Sequence, residues 1–195
     1  ASPAMQPFFT TKIYLVPRLD KNTSGVLLVA KSKIAQEQLI ALFVTQKVNK
    51  YYLAIVDGKV KPQHGVIENY LEKKGFFEGQ TIWGVSADKS GVYAKTEFKT
   101  LLRKENYSVL RCHLITGRTH QLRVHLQALG HPILGDWQYC RRFNYPQHVA
   151  RLLLHSLGIA FKHPFTRQPF KIAAALPEEM QPYVQDLTCQ DILNW

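Results

Sequence analysis

Between Ser108 and Ile115 the chain alternates. Leu110, Cys112 and Leu114 are apolar, and Arg111 and His113 between them are polar. Successive side chains of a strand point to opposite faces, so this segment reads as a strand with one buried and one wet face. Thr116-Gly117 breaks it, and a helix is expected over Thr119–Leu129. Gly130 closes that helix, with His131-Pro132 beyond it, because glycine accepts the left-handed backbone of a helix end and proline cannot continue the helix. Most of the remaining chain reads as strands. Val92–Leu102 is joined to the alternating strand through Arg103–Tyr107, and Tyr51–Val56 (YYLAIV) runs into the turn signal Asp57-Gly58. The apolar run Val26–Ala30 (VLLVA) is expected to be a buried strand. Ser32 is placed as an N-cap, and Ala35, Leu39, Leu42 and Phe43 fall on one face of a helix over Lys33–Gln46. Leu152–Phe161 and Pro169–Ala174 are two further strands, Gly75–Ser90 is loop and hairpin, and Pro177–Asp186 is a short terminal helix. Many antiparallel-looking strands with few helices define an α+β class.

A chain of 195 residues is the size of one domain, here residues 1–195. At 46% hydrophobic and 20% charged residues it can build a core without disulfides or metals. No stretch approaches the roughly 20 apolar residues of a membrane helix. Ala1 to Thr10 lacks the basic and then apolar regions of a secretory signal, and residues 1–11 are expected to be flexible or a cloning remnant. Cys112, Cys140 and Cys189 are odd in number and form no CxxC pair. That argues against a disulfide framework or a zinc cluster and for a reducing, cytoplasmic compartment.

The net charge is +11, and its distribution is uneven. Residues 12–61 carry net +6, residues 62–102 are neutral, residues 103–171 carry net +9 and residues 172–195 carry net −4. If the two basic stretches meet in space they form one positive face. Such a face concentrates a polyanion, whose counterions are released on binding. A general solubility bias is the alternative.

Three segments can carry chemistry. In Arg18-Leu19-Asp20-Lys21-Asn22-Thr23-Ser24-Gly25 a carboxylate stands beside two cations. Between Arg18 and Lys21 its pKa is expected to fall, leaving an ionised group able to serve as nucleophile, base or metal ligand. The same residue types also make an ordinary turn that bonds its own backbone. In Thr116–His125, Arg118 falls at the expected helix N-terminus, where free N–H groups and the dipole favour anions. That mismatch asks for a carboxylate or phosphate partner, unless the side chain simply swings into solvent. His120 and His125 are five apart and share no helix face, and no acid lies in the helix, so a zinc site is not expected. In Lys50-Tyr51-Tyr52-Leu53 the two tyrosines point to opposite faces. One can be core while the other offers a platform for a base, or both can simply pack. The chain has no Walker A loop, GxGxxG, GxSxG or HExxH, so nothing calls for a nucleotide cofactor or a metal.

Taken in order, Arg18-Leu19-Asp20-x-x-Thr23-Ser24-Gly25, Lys50-x-Tyr52-Leu53-Ala54-x-Val56-x-Gly58, Thr116-Gly117-Arg118-Thr119-His120-Gln121-Leu122-Arg123-Val124-His125, Gly130-His131-Pro132-Ile133-x-Gly135-Asp136 and Leu154-His155 closely resemble the RluA-like family of RNA pseudouridine synthases. The resemblance runs from Tyr14 to Pro177. It implies a mixed, largely antiparallel sheet with flanking helices and an RNA-binding cleft. It also implies conversion of uridine to pseudouridine in ribosomal or transfer RNA. The N-glycosidic bond is broken and the base rejoined through carbon, with no metal or organic cofactor.

By motif position, Asp20 resembles the catalytic nucleophile and Arg118 its ion-pair partner. Tyr52 resembles the residue stacked on the target uracil, with a second role in late proton removal. Leu122 is similar to the apolar residue packed on the base, and Arg18 to the side chain filling the gap left by the flipped nucleotide. Thr119, Gln121 and Arg123 are expected to bind substrate alongside them. A base inside a helix cannot present its glycosidic bond, so it must be flipped out, and stacking offsets part of that cost. RNA is the expected partner of a monomer, without membrane.

Two departures stand out. The family pattern reads His before Arg-Leu-Asp, where this chain has Pro17, which stiffens the approach to the turn. The family also carries an upstream strand with a Lys-Pro-x-Gly turn that is not found before Tyr14, so a strand is expected to be missing and an edge left open. A catalytically silent RNA-binding protein on the same fold is the alternative to the enzyme.

Overall fold

A computed structural model describes residues 12–77 and 79–195 of the chain. The expectation for residues 1–11 lies outside the described residues. The chain order is β1 (Tyr14–Leu15), β2 (Ser24–Gly25), β3 (Val29–Ala30), α1 (Lys33–Val44), β4 (Asn49–Asp57), β5 (His64–Phe77), β6 (Gln80–Val85), β7 (Val92–Arg103), β8 (Tyr107–Leu114), α2 (Gln121–Ala128), β9 (Leu154–Lys162), β10 (Pro169–Ala173), a 3₁₀ helix (Glu178–Tyr183) and α3 (Cys189–Leu193). The main sheet runs β10-β9-β4-β8-β7-β5-β6, with β2 added beside β9. Every pairing along that path is antiparallel, and β2 on β9 is parallel. This is the α+β, largely antiparallel sheet expected.

The near-continuous apolar run of β4 is explained by burial on both faces. Ala54 and Val56 join Leu110, Cys112, Leu122 and Leu126 in the core beneath α2. Leu53 and Ile55 point the other way, to Met180, Val184 and Ile192 of the C-terminal segment. The acidic end of the chain therefore packs on the sheet face away from α2. The alternation read in β8 holds, with Leu110, Cys112 and Leu114 buried and Arg111 and His113 partly exposed.

Helix α1 begins where Ser32 caps it, its Oγ accepting the Ala35 N–H at 3.1 Å. Helix α2 is shorter at its start than expected, because His120 takes a left-handed backbone (φ 55°) and the helix begins at Gln121. Gly130, at φ 85°, closes it.

Two readings are corrected. Val26–Ala30 is not a buried strand, since only Val29–Ala30 pairs, with Tyr14–Leu15, and the run is mostly half-buried. The Val26 N–H is taken by the Ser156 carbonyl at 2.9 Å, so the run crosses the end of β9 instead of entering the sheet. The hairpin expected within Gly75–Ser90 joins β6 to the end of the long strand β5, in which Leu71 is fully buried and the other positions are half-buried or exposed. The terminal helix is 3₁₀ over Glu178–Tyr183, and α3 follows it, started by a reciprocal cap between Thr188 and Asp191. Among the described residues no helix is long and apolar enough to cross a membrane.

Candidate active site

Asp20 opens a four-residue turn closed by the Thr23 N–H on the Asp20 carbonyl at 3.0 Å. Asn22 sits at φ 69°, the left-handed position of a type II turn, which Asn tolerates better than most residues. The next two residues lock the turn to the sheet. Ser24 and Gly25 pair in parallel with His155 and Ser156, and Ser24 Oγ lies 2.9 Å from His155 Nδ1. Gly25 has φ 110°, and a Cβ there would run into the Ser156 backbone. Two motifs far apart in sequence, Thr-Ser-Gly and Leu-His, thus form one clamp behind Asp20.

The second wall is the passage from β8 to α2. Gln121, 2% exposed, uses its whole amide. Its Oε1 accepts the Thr116 hydroxyl at 2.7 Å and the Arg118 N–H at 3.0 Å. Its Nε2 donates to the Lys95 carbonyl at 3.0 Å and to Thr96 Oγ1 at 2.9 Å. Lys50 braces the same passage from β4, its buried Nζ donating to the Thr116 carbonyl at 2.9 Å. Burial, with the Arg118 charge adding to it, lowers the Lys50 pKa to about 8.

Asp20, Tyr52, Arg18, Arg118 and Leu122 all face one open cavity of ≈ 530 Å³, floored by Val26 and Leu28 and by apolar residues from α1 and β9. The two basic stretches meet there, Arg18 and Lys50 from the first and Arg118 from the second. The buried Thr23 hydroxyl, also in the lining, has no partner among the described residues. Tyr52 is half-buried; desolvation, reinforced by the Asp20 charge, pushes its pKa up to about 12.

The electrostatics of Asp20 differ from the expectation. Its pKa is raised, because burial outweighs the groups that favour its charge. Those groups are His120 and Arg123, with Asp136 opposing them, and not the sequence neighbours Arg18 and Lys21. The expected Asp20–Arg118 ion pair is not formed. Arg118 is exposed and its Nε donates to the Tyr93 carbonyl at 2.9 Å, which ties it to β7 across the cavity mouth.

Arg123 does not line this cavity; it lines a neighbouring one. It is 5% exposed and bidentate to Asp136, Nε to Oδ2 at 2.8 Å and Nη2 to Oδ1 at 2.6 Å, with its plane over the Tyr139 ring. The buried pair places a fixed dipole behind Asp20. Gln121 likewise holds the loop while lining the cavity, and Thr119 is exposed outside the lining.

Sequence reasoning missed Tyr139, which joins this group from the loop after α2. Its oxygen accepts the Trp83 N–H at 3.0 Å and lies 2.7 Å from His120 Nδ1. Burial lowers the His120 pKa, against the pull of the Asp20 charge. Only Gly135-Asp136 in the quoted pattern hinted at this loop. Among the described residues no three His, Cys, Asp or Glu side chains cluster as metal ligands would.

A half-buried carboxylate and a tyrosine in a basic cleft, on this sheet, agree with what the chain's relatives are. The chain belongs to the RNA pseudouridylate synthase family, whose model matches residues 2–128. It is 41% identical over 177 residues to ribosomal large subunit pseudouridine synthase C of Vibrio vulnificus, covering 89% of this chain and 55% of that protein. It is 34% identical over 173 residues to ribosomal large subunit pseudouridine synthase D of Zymomonas mobilis, covering 86% and 54%. Among solved structures, human RNA pseudouridylate synthase domain containing 1 is similar with a TM-score of 0.74 at 26% identity, over 92% of this chain and 74% of that one. The chain spans about half the length of the curated relatives it matches.

Proposed function

We propose that this chain isomerises uridine to pseudouridine in structured RNA, with Asp20 as the reacting carboxylate. The observation that carries the reading is the juxtaposition of Asp20 and Tyr52 in one open cavity ringed by Arg18, Lys50 and Arg118. A cavity of ≈ 530 Å³ is of the size that takes a single nucleotide.

The flipped uracil stacks on Tyr52 and packs on Leu122, and the Thr23 hydroxyl offers it or its ribose a hydrogen bond. Arg18 and Arg118 hold flanking phosphates, and Arg18 enters the space the base leaves. Arg118 makes one hydrogen bond and is exposed, so it can turn from Tyr93 toward Asp20 or a phosphate once RNA fills the cleft. Free-enzyme geometry of this kind tightens on substrate binding.

Burial of Asp20 makes its charge reactive, and bringing RNA over the cleft removes still more water. Tyr52, with a pKa of about 12, stays a neutral phenol at neutral pH. That suits stacking better than the proton removal first assigned to it. The relatives named for the large ribosomal subunit support ribosomal over transfer RNA as substrate. Three free thiols, at Cys112, Cys140 and Cys189, are consistent with work in a reducing cytoplasm.

The test is incubation of the 195-residue chain with ribosomal and transfer RNA from a strain lacking it, followed by mapping of pseudouridine. New modification confined to defined uridines of large-subunit RNA is the expected result. Salt-sensitive RNA binding with no new pseudouridine in either pool would instead establish the silent RNA-binding reading.

A further inference from the structure

The turn that carries Asp20 separates two cavities. Asp20 and Thr23 line the one described above, while Lys21 and Asn22 line a second of ≈ 280 Å³. Its other walls include Trp137, Phe77, Gln138 and Arg151. Two aromatic rings, three cationic side chains (Lys21, Arg123 and Arg151), three amides and the Asp136 carboxylate surround one hollow.

Each group is held in place. The Trp137 Nε1 donates to the Val149 carbonyl at 2.9 Å, and the indole stacks on His148 while remaining 40% exposed. Arg151 reaches the turn itself, Nη2 to the Asn22 carbonyl at 3.3 Å, with Nη1 on Glu179 at 3.2 Å. Arg141 lies over the Phe77 ring, 5.8 Å from its centroid. Gln138 spends its Oε1 on Arg123 at 2.6 Å, and its buried Nε2 has no acceptor among the described residues. A buried donor without an acceptor is destabilising, and a ligand acceptor removes that penalty. The Asp136 charge in the wall is already neutralised by Arg123.

We propose that this second cavity receives a nucleotide of the substrate RNA that flanks the target uridine. Its base lies against Trp137 and Phe77, with a base acceptor toward Gln138 Nε2, and its phosphate faces Lys21 and Arg151. Aromatic faces take any base, and the amide adds a preference for a base that presents an acceptor. Because the Asp20–Thr23 turn is the shared wall, an RNA strand laid across it drops one nucleotide on each side. Selection of the target uridine then depends on its neighbour as well as on the uridine itself. This inference rests on the function proposed above.

The experiment combines ultraviolet crosslinking with kinetics. The full chain is irradiated with unmodified ribosomal RNA from a strain lacking it, digested, and its nucleotide-bearing peptides identified. The expected result is adducts on the peptides holding Trp137 or Phe77. Trp137→Ala and Phe77→Ala should each raise KM roughly 5- to 100-fold, the loss of one stacked base, with kcat within about twofold. Phe77→Ala serves where Trp137→Ala perturbs folding, since Phe77 is a half-buried hairpin residue. Pseudouridine formed with unchanged KM in both variants, and no adduct at either ring, overturns the second cavity and leaves the Asp20 reading intact. If the unaltered chain forms no pseudouridine, the Asp20 reading fails. The crosslinks then decide alone: adducts at these rings keep the cavity as an RNA site, and their absence removes it.

Discussion

Asp20 is held where its charge is disfavoured, and that has two measurable consequences. In the unfolded chain it titrates near 3.8, and burial raises it in the folded protein. Between those two values the folded state binds more protons than the unfolded state, so stability falls as pH rises through the window. Asp20→Asn removes that burden, and its Tm at pH 7 should equal or exceed the parent's, with the difference closing as pH falls toward 3.8. A lower Tm for Asp20→Asn at pH 7 would show that the carboxylate is stabilising and that its proposed environment is wrong. The second consequence is a displaced pH profile. The acid limb of kcat/KM should lie above the ordinary carboxylate range, and an alkaline limb near pH 8 should follow the lowered Lys50 pKa. Lys50→Met should run slower throughout and lose the alkaline limb; a limb unchanged in that variant belongs to another group. That Asp20, Tyr52, Arg18 and Leu122 belong together was legible because contiguous motifs carry them, and the structure lines one cavity with all four. The direction of the Asp20 shift was not. Burial is a property of the fold, and the side chains that favour the carboxylate's charge come from positions 120 and 123, a hundred residues away in the chain.

Among the elements, the β2–β9 clamp is the part that aims Asp20. Gly25→Ala must adopt a left-handed backbone and displace the Ser156 backbone. Left-handed strain alone costs roughly 1–3 kcal/mol. Its melting temperature should fall by roughly 5 °C or more for a chain this long, and kcat should fall with it because the turn moves. Unchanged kcat in a folded Gly25→Ala would show that the clamp does not position the carboxylate. Beneath α2, His125 is fully buried, with Nδ1 2.9 Å from Thr96 Oγ1 and Nε2 3.0 Å from Asn69 Oδ1. Burial lowers its pKa from 6.5 to about 4. The unfolded chain takes up a proton below 6.5 that the folded one refuses, so stability should drop as pH falls from there toward 4. Thermal melts across that range should show a shallower drop in His125→Gln than in the parent; an identical slope would assign the drop elsewhere. Strands β4, β7 and β8 and both main helices were legible, since their apolar spacing reflects burial. Strand β5 was not, because neither of its faces is consistently buried. The VLLVA run misled for the opposite reason: its apolar side chains line a cleft and cover a sheet end instead of entering the sheet.

On the scale of the molecule, charge and fold act together. The neutral stretch of residues 62–102 builds the outer strands, and the acidic C-terminal segment covers the sheet face away from α2. The two basic stretches are left to converge on the cleft. RNA affinity should therefore fall steeply with salt, since each phosphate contact contributes a slope of about −0.7 in log K against log salt for a single strand. Arg18→Ala and Arg118→Ala should each reduce that slope by about one contact's worth. Equal slopes in parent and variants, by filter binding over a salt series, would place the RNA elsewhere. The uneven charge was readable in the sequence, but its convergence was not, because it depends on β4 lying beside β8. Release of tritium from RNA labelled at uracil C5 reports whether the Asp20 carboxylate performs the isomerisation. The parent chain should release tritium with turnover, while Asp20→Asn should release none above background and still bind the RNA. Release by Asp20→Asn at the parent's rate would contradict the account.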